Sequence, residues 1–547
     1  MMKKTIKKLL AALLAVAMVC AMAIPAFAYN SWETKEDLYD HHGYIAFQIF
    51  KGVISKDNPT LSGVDWGEHI IDHDEFLKQL RADTTIGRYF TNATSVPEVL
   101  AVISKWDDSD DDSIAFARFV CHYLYSNGAA PDSDIVSGNS SITIPEAGYY
   151  LIVDNIDFSN GDYYHAYNSF LLVNVPQAVQ TSYNVTINHK VVKPTVEKKV
   201  YDNFDNQDGT STGDFGSSAD HAINEKFQFQ LIAKLPAGRD EGRAYDYYDK
   251  YSVIFHDTLS DGITYDKDDN LDSVVIESNG KTYNIPKDSL KYTIDTTDLE
   301  SQNSFVVNIP DVKACAKDAG FDLNDGATIT VTYTAHLNEK AAVNTEGGST
   351  SNINKVYLTY SNNPKDESSV GQTPESKVCV YTYQLNNTKY HDDDTPGNEL
   401  AGAGFRLYSG KDCTKEQEIK LKKNTTDGTY SPYFGADAGD EMFSDEHGQF
   451  NVKGLDAGTY YLRETNPPKD YSACDDTKIV ISATHDEHNV NLSGESNLNN
   501  KIINKKAGGI TLPSTGGIGT TIFYVVGGGL MVAAIVLLVT KKRMENK

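Results

Sequence analysis

The stretch "GTYYLRET", residues 458–465, decides how the chain is read. Successive side chains on a β-strand point to opposite faces, so Tyr460, Leu462 and Glu464 share one face. A carboxylate on an apolar strand face is costly unless it is paired or neutralised. Two neighbouring stretches offer partners. In "YTYQLNNTKY" (381–390) Lys389 shares its face with Tyr383 and Leu385, and in "KIINKK" (501–506) Asn504 shares its face with Ile502. A lysine, an acid and an amide therefore all point inward from strands. Burial lowers a lysine pKa and raises a glutamate pKa, which favours a neutral amine beside a protonated acid.

The pattern recurs upstream. In "PTVEKKV" (194–200) Lys198 alternates with Val196 and Val200, whereas Lys199 points the other way. In "YSVIFHDTLSDGITY" (251–265) Asp257 follows Val253 and Phe255, and in "NINKVYLTYSNNP" (352–364) Asn354 precedes Val356, Leu358 and Tyr360. Glu225 and Asp261 compete with Asp257 for the acid's place. In both sets the lysine is expected on the first strand of its module and the asparagine on the last.

Elsewhere short runs rich in Val, Ile, Thr and Tyr alternate with Asn, Asp and Gly turns, as in "YYLIVD", "FQFQLIA", "TITVTYTA" and "VCVYTYQL". The 33 tyrosines suit half-exposed sheet faces. Helical patterning is mostly confined to the first third, around "DEFLKQLRAD" (74–83) and "SIAFARFVCHYLYS" (113–126). The expectation is an all-β chain with some helix in its first module. Pro-marked junctions at "KVVKPTVEKKV" (190–200) and "SNNPKDESSVGQTPESK" (361–377) divide it into 29–192, 193–370 and 371–507.

The two ends read as export and retention. "MMKKTIKK", an apolar run and "AFA" at 26–28 form a signal peptide, residues 1–28. At the other end "TLPSTGG" (511–517) precedes an apolar run, 518–540, long enough to cross a bilayer, and then Lys541, Lys542 and Arg543. Residues 508–547 thus form a C-terminal signal with a membrane helix and a basic tail.

The formal net charge of −27, from 49 basic and 76 acidic residues, argues against a nucleic-acid partner. Five scattered cysteines outlast the signal peptide and form no disulfide scaffold, though Cys413 and Cys474 are one potential pair. There is no HExxH, P-loop or GxSxG motif and no EF-hand ligand order. "HDEH" (485–488) is expected to be a surface cluster, and neither a metal nor a cofactor is expected. Turnover catalysis is not expected either.

The C-terminal arrangement resembles the sorting signal of Gram-positive surface proteins cut by sortase. The resemblance implies that Leu512, Pro513, Ser514, Thr515 and Gly516 form the motif, with cleavage between Thr515 and Gly516 and transfer of the Thr515 acyl group to an amine. "YNVTINHKVVKPTVEKKV" resembles the pilin motif, in which a lysine receives the next subunit. It aligns Val185 and Ile187 with the aliphatic positions and Lys190 with the acceptor, Lys193 being the alternative. Thr181 stands where the motif has Trp, and Asn188-His189 where it has Tyr-Pro.

"ELAGAGFRLYSG" (399–410) and "DEHGQFNVKGLDAGTYYLRETNPPKDY" (445–471) resemble the collagen-adhesin B-type domain, an inverse immunoglobulin-like β-sandwich. That resemblance implies a self-formed isopeptide bond between Lys389 and Asn504, assisted by Glu464. A similar likeness of the middle module to backbone pilins implies one between Lys198 and Asn354, assisted by Asp257. "GYIAFQIFKG" (43–52) and "AGYYLIVDN" (147–155) resemble backbone-pilin N-terminal domains, with no such triple. Lys51 is the one candidate component there. The implied whole is the major subunit of a sortase-assembled pilus on a Gram-positive cell wall. Its implied partners are sortases, other copies of itself, ancillary pilins, peptidoglycan and host surface ligands. A non-polymerising wall-anchored adhesin is the alternative.

Overall fold

The computed structural model describes residues 44–545 other than 56–57, 107–109, 131–140, 145, 155–169, 176–182, 187–193, 204–212, 236–247, 268–270, 288, 322, 324–326, 364–367 and 507–517. The chain separates into two compact units. One takes the residues up to Val343 with Ser349–Thr382 and Thr484–Asn491; the other takes Asn344–Gly348, Tyr383–Ala483 and the residues from Leu492 onward.

The first unit begins with an antiparallel sheet in the order Asn58–Trp66, Tyr44–Ser55, Gly148–Asp154, Phe170–Val175. Helices His73–Ala82, Gly87–Phe90, Val96–Ile103 and Asp111–Ser126 lie between its second and third strands in sequence. Two of the four match the sequence expectation. Asp72 caps the first, its carboxylate accepting from the Glu75 amide at 2.9 Å. Phe76, Leu80, Phe116, Val120 and Leu124 bury against Phe47, Ile49 and Leu151 of the sheet, so the helices cover one sheet face. Lys51 is exposed, which corrects its candidacy as a crosslink component; among the described side chains of that strand the buried polar one is Gln48.

The same unit continues as a β-sandwich. One sheet has the order Lys281–Asn284, Leu271–Ser278, Thr328–Leu337, Lys226–Lys234, Thr195–Asp202, Asp214–Gly216. The other runs Thr293–Asp295, Ser304–Ile309, Val253–Leu259, Asn352–Ser361, Ser376–Tyr381, Ser218–Asp220. Phe229, Leu231, Val331 and Tyr333 of the first sheet share one core with Phe255, Phe305, Leu358 and Val378 of the second. Each large apolar side chain buried there contributes roughly 1.5–3 kcal/mol before entropy is counted. Ser376–Tyr381 is a full strand of this sandwich, so the module extends to Thr382, past the junction expected near 370.

The second unit is also a sandwich. Leu421–Lys423, Tyr430–Pro432, Val452–Leu455, Tyr383–His391, Asn499–Lys506 and Tyr471–Ser472 make one sheet; Glu418–Ile419, Gly404–Tyr408, Gly458–Asn466 and Thr477–Ile481 make the other. Phe405 and Phe450 stack between them with centroids 4.2 Å apart.

A helix, Ile518–Glu545, follows. Val526, Leu530, Met531 and Ile535 on it are exposed. Among the described residues no helix is long and apolar enough to cross a membrane. The described side chains of this one begin only at Val526, so they cover part of the apolar run read from the sequence.

Candidate crosslink sites

Strand alternation buries Lys198, Val200 and Asp202 on one side of Thr195–Asp202. The backbone amide of Lys198 donates to Ser376 Oγ at 2.9 Å, which helps fix the strand where its side chain enters the core. Asp257 enters from the facing sheet, and Asn354 enters from the strand paired with it, Asp257 lying opposite Val356 and Leu259 opposite Asn354. Lys198, Asp257 and Asn354 are 2%, 1% and 0% exposed. Lys198 Nζ forms an ion-paired hydrogen bond to Asp257 Oδ2.

A fourth residue completes the site. Tyr333 Oη lies 3.3 Å from Lys198 Nζ, donates to Asp257 Oδ1 at 3.2 Å and accepts from Asn354 Nδ2 at 2.7 Å. Asn354 Oδ1 is buried without a hydrogen-bond partner among the described residues. Such a group typically costs about 1–3 kcal/mol. Tyr333 was legible in "TITVTYTA", where it alternates with Val331 and Ala335, but reading the tyrosines only as sheet-face residues passed over it. Glu225 instead accepts from the Ala222 amide at 3.0 Å, and Asp261 is exposed; Asp257 is the acid beside Lys198.

Burial pushes the Lys198 ammonium down to about 8 despite Asp257 beside it. Burial likewise raises Asp257, against the opposing pull of Lys198. Both shifts favour the uncharged pair, as expected when two charges lie in a medium too apolar to solvate either. The Phe229 ring centre, 5.3 Å from Nζ, supplies part of that apolar wall.

In the second unit Lys389 and Asn504 come from neighbouring parallel strands of one sheet, Lys389 lying opposite Ile502 and His391 opposite Asn504. Lys389 Nζ donates to Asn504 Oδ1. Glu464 reaches in from the other sheet: its Oε1 accepts from Asn504 Nδ2 at 2.8 Å and lies 3.6 Å from Lys389 Nζ. The three are 0%, 1% and 6% exposed in the order Lys389, Asn504, Glu464. Gly448 seats the lysine's backbone. Its φ is 72°, its carbonyl accepts from the Lys389 amide at 2.7 Å, and a Cβ there would lie 2.4 Å from Lys389 O.

Burial also lowers Lys389, and the Phe405 ring centre lies 5.4 Å from its Nζ. Sequence reasoning missed Cys474 here. Its backbone amide donates to Glu464 Oε2 at 2.9 Å, and its Sγ lies 3.6 Å from Lys389 Nζ. Cys474 and Cys413 are both free thiols, which removes the potential disulfide; Cys413 Sγ faces Asp476 at 3.8 Å.

The two triples differ in how they span their sandwiches. Lys198 and Asn354 stand on opposite sheets, whereas Lys389 and Asn504 stand in the same one. Asn354 is also not on the last strand of its module, because Ser376–Tyr381 follows it, which corrects that part of the expectation. Lys190, Lys193, Ile187 and the motif Leu512–Gly516 lie outside the described residues. Tyr183–Thr186, which holds Val185, pairs antiparallel with Ser141–Ile144. "HDEH" is only partly a surface cluster: Asp486, Glu487 and His488 are exposed, but the His485 side chain is 12% exposed and faces Asp202 and Asp220.

Residues 386–497 match the SpaA family, described as a prealbumin-like fold domain, and residues 504–546 match the LPXTG cell wall anchor motif. No curated protein matches. Among solved structures, the chain is similar to the T6 backbone pilin of serotype M6 Streptococcus pyogenes, at 14% identity over 87% of this chain and 100% of that one, TM-score 0.43. It is similar to the 35 kDa C-terminal fragment of the major pilin GBS80 of Streptococcus agalactiae, at 21% identity over 57% and 100%, TM-score 0.38. It is also similar to the full-length major pilin SpaD from Corynebacterium diphtheriae, at 17% identity over 69% and 80%, TM-score 0.37. The chain thus joins tandem β-sandwiches, the last of them matched as a prealbumin-like domain, to a Gram-positive LPXTG cell wall anchor motif, which assigns it to the Gram-positive cell surface, held to the wall through its C-terminal signal.

Proposed function

We propose that the chain is the backbone subunit of a covalently polymerised pilus, stiffened by two isopeptide bonds that it forms itself. The observation that supports this best is the recurrence, in two successive sandwiches, of a buried lysine touching an acid, with an asparagine amide in the same cluster. The modules would run 29–192, 193–382 and 383–507, after a signal peptide 1–28 and before a sorting signal 508–547.

In the middle module Asp257 takes the proton of Lys198, and the neutral amine attacks the side-chain carbonyl carbon of Asn354. The new C–N bond forms as the Asn354 C–Nδ2 bond breaks. Nitrogen leaves as ammonia, its extra proton supplied by Asp257 through the Tyr333 hydroxyl that stands between them, and the attacking nitrogen gives its second proton back to Asp257 as it becomes the amide. In the third module Glu464 contacts both reacting groups directly and serves as both base and acid. Each acid acts once, so neither module turns over.

The polymer joint forms separately. A sortase thiolate would attack the Thr515 carbonyl, breaking the bond to Gly516, and the Lys190 amine of another copy would resolve the thioester. Lys193 is the alternative acceptor. Ancillary pilins would enter by the same chemistry, and a peptidoglycan amine would end the fibre at the wall. The test is expression with its sortases. A high-molecular-weight ladder that disappears in Lys190→Ala supports the reading. Wall-anchored monomer in the wild type overturns it and favours the adhesin.

A further inference from the structure

The first unit holds a second buried polar cluster that the crosslink chemistry does not use. Asp202 ends the strand Thr195–Asp202 and Asp220 ends Ser218–Asp220, while His485 comes from Thr484–Asn491, a segment of the same compact unit. Asp202 is 3% exposed and Asp220 7%. The chain brings them together through ordinary strand pairing. Ser218–Asp220 runs parallel to Ser376–Tyr381, with Tyr381 opposite Asp220. Tyr381 Oη in turn donates to the Asp486 carbonyl at 2.9 Å, next to His485.

The separations are informative. His485 Nε2 lies 3.5 Å from Asp202 Oδ2 and 3.7 Å from Asp220 Oδ1. Both exceed the about 2.7–3.2 Å of a nitrogen–oxygen hydrogen bond. They approach the roughly 3.3–3.4 Å expected between two ligand atoms that each sit about 2.0–2.1 Å from one tetrahedral zinc ion. All three ligand atoms lie within 4.8 Å of one another.

The surroundings suit a cation in two further respects. His485 Nδ1 lies 2.9 Å from Ser218 Oγ. With Nδ1–H donating to that hydroxyl, Nε2 keeps its lone pair and turns it toward the carboxylates, as outer-shell partners of metal-bound histidines do. Two buried carboxylates also face the His485 ring, so its protonation would offset only one of them, the His221 ring acting on Asp202 from further away.

We propose that Asp202, Asp220 and His485 bind one divalent cation of the zinc class, with a fourth position open to water. The ion ties the segment Thr484–Asn491 to strands that precede it by more than 250 residues, the Ser218–His485 contact alone spanning 267. This proposal stands independently of the isopeptide bonds.

The test is titration of the metal-stripped secreted chain with ZnCl2 alone, followed by calorimetry and metal analysis. One zinc per chain is expected, with a melting temperature that rises on loading and falls back with chelator. Asp202→Asn and His485→Gln should each abolish the site, and Ser218→Ala should weaken it roughly 10–100-fold. Cobalt in place of zinc should give the visible absorption of a four-coordinate ion. If a ligand variant does not fold, Ser218→Ala and the cobalt spectrum of the wild type carry the test. Absence of a zinc site in the wild type, or binding undiminished in all three variants, overturns the proposal. So does a cluster that ignores zinc and only loses stability as pH rises past the imidazole, which is the behaviour of an imidazolium held between carboxylates.

Discussion

Lys389 and Asn504 face one another across two neighbouring parallel strands, the lysine ammonium donating to the asparagine side-chain oxygen. The contact closes a stretch of 115 residues, so a bond there would leave most of the third module inside a covalent ring. Tension applied along the chain would pass through the bond and bypass the sandwich's hydrogen bonds.

Asn504→Ala should therefore lower stability sharply. A crosslink closing a ring of that size removes about 4–5 kcal/mol of unfolded-state entropy in the chain-entropy picture. Losing it should drop the melting temperature of the third module by well over ten degrees, at about 4–8 °C per kcal/mol for a domain near 100 residues. Calorimetry of the secreted protein checks this. A melting temperature unchanged from wild type would show that no ring is closed.

Tyr333→Phe should slow the middle bond and leave the third untouched. The hydroxyl contacts Lys198, Asp257 and Asn354 within 3.3 Å, whereas among the described residues no hydroxyl bridges the members of the third triple. Loss of a positioned proton carrier typically costs 10²–10⁴-fold, so the delay should be roughly 100-fold or more. Peptide mapping at timed intervals after refolding distinguishes the two bonds.

Asn354→Ala leaves Lys198 as a titrating amine and makes stability depend on pH. The folded chain releases this proton near pH 8, whereas the unfolded chain holds it to about 10.5. Between those values the unfolded state binds more protons, so stability rises with pH, by on the order of 3 kcal/mol. Asp257 has the opposite sign: burial raises its pKa from 3.8, so stability falls as pH climbs above that value. If the proposed bond forms in the wild type, the Lys198 nitrogen becomes an amide and the alkaline rise disappears. Denaturant melts across the pH range compare the two.

Cys413 and Cys474 should alkylate in denatured, unreduced protein, since both are free thiols. Resistance to alkylation without reductant would contradict the structure. Burial holds the Cys474 thiol up at about 11, so in the folded protein it should react far more slowly than an exposed cysteine.

The inward residues were legible because a two-residue period is the strongest local statement a strand makes. Lys198, Asp257, Asn354, Lys389, Glu464 and Asn504 each follow from neighbours two positions away. Their mutual contacts depend on which strands pair, and periodicity is silent on pairing. That is why the cross-sheet triple of the middle module and the third module's triple, whose lysine and asparagine share a sheet, look alike in the sequence. Tyr333 hid among many tyrosines of the same alternation, and Cys474 lies outside any regular strand. The boundary near 370 was misplaced for a related reason. "SNNPKDESSVGQTPESK" is as polar as a linker, yet Ser376 at its end begins a strand of the preceding sandwich. His485 was unreadable because its partners lie hundreds of residues away.

Intact mass of the folded, secreted protein tests the central claim most directly. Each condensation of lysine with asparagine releases one ammonia, so two bonds lower the mass by about 34 Da relative to the sequence. The account predicts that deficit in the wild type, half of it in Glu464→Ala or in Asp257→Ala, and none in the double variant. A wild-type mass equal to that of the sequence would contradict it.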